Sequence, residues 1–383
     1  MDFELNAEQK LLVDNVSNFV KKDSPLSRFR EQRDVDPGWS KAVWAQMGEL
    51  GWLALPFSEE DGGLGMGFID VALVLERLGT TLVPEPIIPS VVLGGTALAR
   101  AGNAAQKEQL LAPMMEGQAT LALAYAERDA RHDLKRVATR AEKSGSGYTL
   151  SGEKVWVLGG DSADHLIVSA RTGGEVRDAG GISLFAVDPK AEGVKVQPLK
   201  TMDGRRAAHV TFDGAKLPGD ALLGEEGAAA PALDEALDLG AAAACAEGAG
   251  LLDAAFQMTR DYLDERVQFG VKIGSFQALQ HRAVDMFIEL QLAKATMLLA
   301  ALKADEDPEE RRRGVSIAKA QLGESGRFIT AQAIQLHGGI GVTDEHDIGL
   351  YFKRMNVLNA LFGDEAHHLE RFSGLPRFDQ SAS

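Results

Sequence analysis

The sequence holds one cysteine, Cys245, in 383 residues, so it can build neither a disulfide framework nor a cysteine-based metal centre. Cys245 lies in the run GAAAACAEGAG, where a buried small residue is expected rather than a nucleophile. Positive charge is scarce as well. The 40 basic and 56 acidic residues leave a formal charge of −16, which argues against nucleic acid or an anionic membrane surface as the main partner. The one compact basic run, Arg311-Arg312-Arg313, follows an acidic segment and reads as a solvated helix start. No segment reaches the roughly 18 apolar residues of a membrane span. The opening residues MDFELNAEQK have neither a basic n-region nor an apolar h-region. A cytoplasmic protein with no membrane partner is expected, and neither an internal repeat nor a low-complexity linker is found.

What is present is a globular composition, 45% hydrophobic and 25% charged, in a chain too long for one core. The fold class expected is α+β in three domains, an N-terminal all-α domain at 1–119, an antiparallel β-barrel or sandwich at 120–225 and a helical bundle at 226–383. Asn6 and Gln9 are spaced as a capping box, and Leu12, Val16, Phe19 and Val20 fall on one helical face. Periodic runs at 40–52, 68–79 and 105–116 continue the pattern. From Thr120 to about Leu223, short β-branched and apolar runs alternate with Gly, Asp and Ser turns, and no strand is followed by a helix of βαβ length. The segment 231–266 is alanine-rich and interrupted by Gly240, Gly248 and Gly250, which lets neighbouring helices approach closely. Runs at 277–303 and 314–336 follow, the second stopping at Gly338-Gly339. A bundle of four or five helices fits.

Three stretches could carry chemistry. RVQFGVKIGSFQALQ at 266–280 offers a fixed charge in Arg266, a flat apolar ring in Phe269 and amides in Gln277 and Gln280. That set suits an anionic aromatic ligand, and equally a loop salt bridge beside a core phenylalanine. QLHGGIGVT at 335–343 puts Gln335 above the bare backbone of Gly338 and Gly339, a place for close ligand approach or merely a helix stop. LFGDEAHHLER at 361–371 gathers two acids and two histidines. Adjacent His367 and His368 point to different helix faces, so no metal site is expected. A carboxylate base and an acid-capped helix start both remain open there.

Together these motifs, with GWLALPFSEEDGGLG near the N-terminus and GEKVWVLGGDSADHLIVSAR in the middle, resemble the acyl-CoA dehydrogenase family over essentially the whole chain. The resemblance implies a tetramer of three-domain subunits with FAD between the β domain and the bundle. It implies that Arg266, Gln268 and Phe269, with Gln277, embrace the diphosphate and adenosine side of a neighbour's FAD, and that Gln335, Gly338 and Gly339 do the same. It further implies a CoA thioester substrate, loss of an α proton and a β hydride to give a 2-enoyl-CoA, and an electron-transfer flavoprotein as acceptor.

Departures from the family pattern are specific. Where the family has Thr-Glu-Pro-Gly-Ala-Gly-Ser-Asp over its flavin, AERDARHD at 126–133 keeps only Glu127, Ala130 and Asp133, with Asp129 and Arg131 in place of glycines. The Trp-Ile-Thr-Asn-Gly motif becomes WVLGG, which keeps Trp156 but puts Leu158 where the hydroxyl stands. Two registers, one residue apart, place either Asp364 or Gly363 at the family's base position, and Glu365 is the next carboxylate. The family's other base position falls at Gly240, and its substrate-side arginine at Ala241. The half-site given to a neighbour is thus complete, and the half-site for the chain's own flavin is eroded. This pattern resembles the small subunits of heteromeric bacterial enzymes such as those for pimeloyl-CoA or steroid side chains. The expectation is a dehydrogenase subunit paired with an unlike homologous chain in a heterotetramer. A complete homotetramer using Asp364, a non-catalytic structural subunit, and a flavin oxidase or monooxygenase on the same fold are the alternatives.

Overall fold

The computed structural model describes residues 5–376. Helices α1 (Ala7–Lys22), α2 (Leu26–Gln32), α3 (Lys41–Glu49) and α4 (Phe68–Gly79) come first. The short helices α5 (Thr96–Ala101), α6 (Ala104–Gln106) and α7 (Ala112–Met115) follow, α5 continuing a π-helical stretch, Ile88–Gly95. Strands β1 (Leu121–Ala124), β2 (Arg140–Ser144), β3 (Gly147–Leu158), β4 (His165–Arg171), β5 (Ile182–Val187), β6 (Val194–Lys200), β7 (Arg206–Leu217) and β8 (Leu222–Leu223) form the middle. Then come α8 (Ala230–Glu265), β9 (Val267–Gln268), β10 (Val271–Lys272), α9 (Gln277–Lys303), α10 (Pro308–His337), α11 (Ile348–Ala360) and α12 (Glu365–Ser373).

One compact unit comprises residues 32–67 and 84–240. Its sheet runs β6-β7-β3-β2-β4-β5-β8, with β1 paired to β4. The sheet is mixed and departs from the purely antiparallel arrangement expected. Leu121–Ala124 pairs in parallel with residues 165–168, and β2 meets β4 in parallel at Arg140 and Arg171. A parallel neighbour needs a long crossover, and the β2–β3 hairpin between β1 and β4 supplies it. Leu150, Val157, Leu166, Val168, Phe185, Val210 and Phe212 are buried together in its core. Strand β3 is bulged twice against β7, the second time between Lys154 and Val157. Such a bulge bends the strand and re-aims a side chain, here Trp156, whose φ is +53°.

The second unit takes in the described residues up to Glu31, Phe68–Val83 and those from Ala241 onward. Helix α1 starts with the expected capping box, Asn6 accepting from Gln9 N–H and Gln9 answering Asn6 N–H, and buries Val16, Phe19 and Val20. Helices α4 and α8 meet backbone to backbone at glycines: a Cβ on Gly250 would lie 1.7 Å from the Glu76 carbonyl oxygen, and one on Gly79 2.3 Å from that of Glu247. A buried bidentate pair, Glu247 with Arg354 at 2.8 and 2.7 Å, joins α8 to α11. Two expectations change. Helix α10 begins at Pro308, so the arginine run lies inside it, and Arg311 and Arg313 are buried rather than solvated. Arg313 pairs with Glu309 and Glu310 and donates to the Pro376 carbonyl. Helix α8 does reach the length and mean hydropathy of a span, although 83% of its most apolar window is buried in the protein, as in a core helix.

Candidate functional site

Leaving α8, the chain makes a two-residue hairpin between β9 and β10, with Phe269 at φ +55° and Gly270 at φ +81°. Two positive φ values at the tip define a type I′ turn, a geometry that favours Asn or Gly. A phenylalanine there costs about 1 kcal/mol of backbone strain. Phe269 is 92% exposed, and its ring meets that of Phe276 edge-on at 6.2 Å. Local conformation and hydration therefore both oppose this residue, and a large flat surface is held out in water. In the same unit the Arg266, Gln277 and Gln335 side chains are exposed and have no hydrogen-bond partner among the described residues. The Gln268 side-chain amide donates to the carbonyl of its neighbour Val267.

The Gly338 turn belongs to the same unit. Gly338 has φ +64° and ψ −139°, accessible essentially only to glycine. A Cβ on Gly338 or Gly339 would meet nothing within 4 Å, so the turn faces open space and the backbone conformation, rather than crowding, is what calls for glycine at Gly338. Two residues that the sequence did not single out tie this turn to the Arg266 segment. Tyr262 stacks on His337 at 4.5 Å and 26°, and its carbonyl accepts the Arg266 N–H at 2.9 Å. His337 Nδ1 donates to the Ala333 carbonyl, 2.8 Å away. Burial, with His346 beside it, holds the imidazole below its usual range despite that bond, and Nε2 is buried with no hydrogen-bond partner among the described residues. An aromatic at i−4 from Arg266 and a histidine before a Gly-Gly pair were the available signals.

The stretch 361–371 resolves into a turn and a short helix. Phe362 (φ +60°) and Gly363 (φ +104°) are both left-handed, and Asp364 then caps α12 by accepting the His367 N–H at 2.9 Å. The two histidines divide, as their different helix faces require. His368 is 1% exposed and lies with Nε2 3.0 Å from the Phe362 carbonyl. Burial and the nearby Lys319 charge push its imidazole down to about 3. Lys319, on α10 and also 1% exposed, donates to the carbonyls of Leu358 at 2.7 Å and Asn359 at 3.4 Å. Burial lowers its ammonium to about 8, against the attraction of Cys245 and Asp364. Burial likewise pushes the Cys245 thiol up to about 12, which leaves it inert. Glu365 turns to α10 and binds Arg327 at 2.6 Å. Among the described residues no group of three or more His, Cys, Asp or Glu could hold a metal ion.

In the other unit the segment 126–133 is bonded both internally and to neighbouring residues of the same unit. The Ala130 amide bonds the Glu127 carbonyl and the Asp133 amide that of Ala130. Asp129 pairs with Arg136 at 3.2 Å, and Arg128 with Glu153 at 3.2 Å. Arg131 adopts φ +49°, a left-handed conformation that glycine takes more readily. Glu127 is buried and accepts from the Ala138 and Thr139 amides and from Lys154, at 2.7, 3.0 and 2.8 Å. Burial alone would raise this carboxyl, but the Lys154 charge and these bonds outweigh it and hold it low. Lys154, wholly buried, is pushed down to about 8 by burial despite Glu127. Trp156 is 57% exposed, with His209 edge-on to it at 5.6 Å, and Leu158 is half-buried.

Three family models match successive parts of the chain: "Acyl-CoA dehydrogenase, N-terminal domain" over residues 6–118, the middle domain over 122–215 and the C-terminal domain over 230–373. The chain is similar to the probable acyl-CoA dehydrogenase YngJ of Bacillus subtilis, 31% identical over 353 residues that cover 91% of this chain and 92% of YngJ. Among solved structures, it resembles a chain of the ChsE4-ChsE5 complex from Mycobacterium tuberculosis, with a TM-score of 0.87 at 27% identity over 98% of this chain and 100% of that one. It also resembles a steroid ACAD variant, Tcur3481-Tcur3483, with a TM-score of 0.85 at 28% identity over 98% and 99% of the two chains.

Proposed function

Because this chain belongs to the acyl-CoA dehydrogenase family, we propose that it is one subunit of an FAD-dependent enzyme that converts a CoA thioester to its 2-enoyl form together with an unlike homologous chain. The observation that carries this reading is a contrast between two segments. The Arg266, Gln277 and Gln335 side chains are exposed and without hydrogen-bond partners among the described residues, the Phe269 ring is exposed, and the Gly338-Gly339 turn is open, whereas Arg128 and Asp129 of the 126–133 loop are paired with Glu153 and Arg136 of the same unit. The first set fits a flavin dinucleotide: a guanidinium for the diphosphate, amides and a flat ring for the adenosine side, and glycine backbone for close approach. Bound FAD supplies the acceptor for the hydride that leaves the β carbon.

This chain's own residues then have separate tasks. Arg266 neutralises a neighbour's phosphates and Gln335 and Gln277 orient the cofactor. Asp364 stands at a left-handed turn as the carboxylate that takes the α proton. The two-chain assemblies named for ChsE4-ChsE5 and for the steroid ACAD support an unlike partner and a bulky acyl group, and the small residues Ala241–Ala244 of α8 are consistent with one. An electron-transfer flavoprotein is the acceptor this reading carries. A homotetramer that uses Asp364 in every subunit is the second reading, favoured by the placement of that carboxylate at the turn.

The deciding measurement is the visible spectrum and flavin stoichiometry of the chain made alone and co-expressed with a homologous chain. The expected result is a colourless protein alone and a yellow assembly with the partner. One flavin per subunit in the chain alone, bleached by a CoA thioester and impaired by Asp364→Asn, would overturn the two-chain reading in favour of the homotetramer.

A further inference from the structure

The segment 358–364 is held from within by two buried side chains that no motif assigns, Lys319 and the neutral imidazole of His368. The Phe362 carbonyl can only accept, so His368 Nε2 must carry the proton and donate at 3.0 Å. Its other nitrogen, Nδ1, is buried without a partner, as a neutral ring allows. A Cβ on Gly363 would fall 2.3 Å from His367 Cδ2 and 3.0 Å from His368 Nε2, so the turn is moulded against the imidazoles and accepts only glycine there. On the upstream side Lys319 ties down the last carbonyls of α11. The bonds form a closed loop: Asp364 starts α12 by capping His367, and one residue later α12 sends His368 back to the carbonyl two residues before Asp364.

We infer that His368 is a positioning residue, whose Nε2–H holds the Phe362 carbonyl and so fixes where the Asp364 carboxylate stands. The inference rests on the reading of Asp364 as the proton acceptor given above. His368 itself touches neither carboxylate nor substrate in this role. Its effect reaches the chemistry through the left-handed pair Phe362-Gly363, which would relax toward ordinary conformations once the carbonyl lost its donor.

The test compares His368→Gln, which keeps an amide N–H near the position of Nε2, with His368→Leu, which keeps bulk and loses the donor. Both are made in the flavin-loaded assembly, beside Asp364→Asn, and assayed on the best-oxidised member of a panel of saturated acyl-CoA thioesters. His368→Leu is expected to lower kcat by about 10-fold or more with little change in KM or flavin content, and His368→Gln to recover most of it. Amide exchange across 361–368 is expected to quicken in His368→Leu and not in His368→Gln. Unchanged exchange in His368→Leu, equal losses in both variants, or a loss explained by missing flavin would each overturn the inference. A fully active Asp364→Asn enzyme would instead refute the reading of Asp364 as the base, and the exchange data would still decide whether His368 holds the turn.

Discussion

His368, Lys319 and Lys154 are titratable groups kept from water, and each has a protonation state set by its surroundings. For His368 the sign follows from its neutral buried ring. The unfolded chain takes up a proton below about pH 6.5, the folded chain only near 3, so stability is lost as pH falls through that interval. The full effect is on the order of 5 kcal/mol. Urea midpoints measured from pH 7 to pH 4 should fall steeply in the wild type and less steeply in His368→Gln, and identical slopes would show that the histidine is not the group responsible. Glu127 adds to the same trend, because its carboxyl is held low in the fold and must be protonated on acidification. The sequence shows His367 and His368 as neighbours of equal standing. Only the packing of α12 against α10 makes one of them a buried donor.

At the scale of elements, the crossing of α4 and α8 depends on what glycine leaves out. In an open helix Gly250→Ala would add about 1 kcal/mol of stability through helix propensity. Here the new methyl would lie 1.7 Å from the backbone oxygen of Glu76, so the helices must separate, at a cost of about 2 kcal/mol or more. The clash wins, and thermal denaturation should show Gly250→Ala several degrees below the wild type; an unchanged or raised Tm would mean that the helices are not so closely apposed. The glycines at 240, 248 and 250 were legible in the sequence as points of approach. Which helix approaches was not, since Glu76 lies 174 positions away. The parallel pairing of β1 with β4 was hidden for the same reason: alternation marks a strand's buried face and says nothing of which distant strand lies beside it.

For the molecule as a whole, exposure is the informative quantity. The Arg266 side chain has no partner among the described residues, so Arg266→Ala should leave the Tm of the flavin-free protein nearly unchanged. Flavin affinity of the co-expressed assembly should fall about 10- to 100-fold, the loss of one charge-assisted contact to phosphate. Flavin titration of the assembly checks this, and an unaltered affinity would remove Arg266 from the site.

By itself, the sequence determined the order of helical, β and helical segments, because hydrophobic period is written locally, and it identified the family through motifs at 266–280 and 335–343. Residue identity also exposed the departures at 126–133 and 156–160. The tertiary structure decided what those residues do. It put Asp364 at a helix cap, turned Glu365 to Arg327, buried Arg311 and Arg313, stacked Tyr262 on His337 and placed Lys319 and His368 beneath the turn. Each of these outcomes depends on a contact between groups distant in the chain or on the burial such packing creates, and desolvation and partnering, which set a side chain's charge and direction, come into being only when those elements meet.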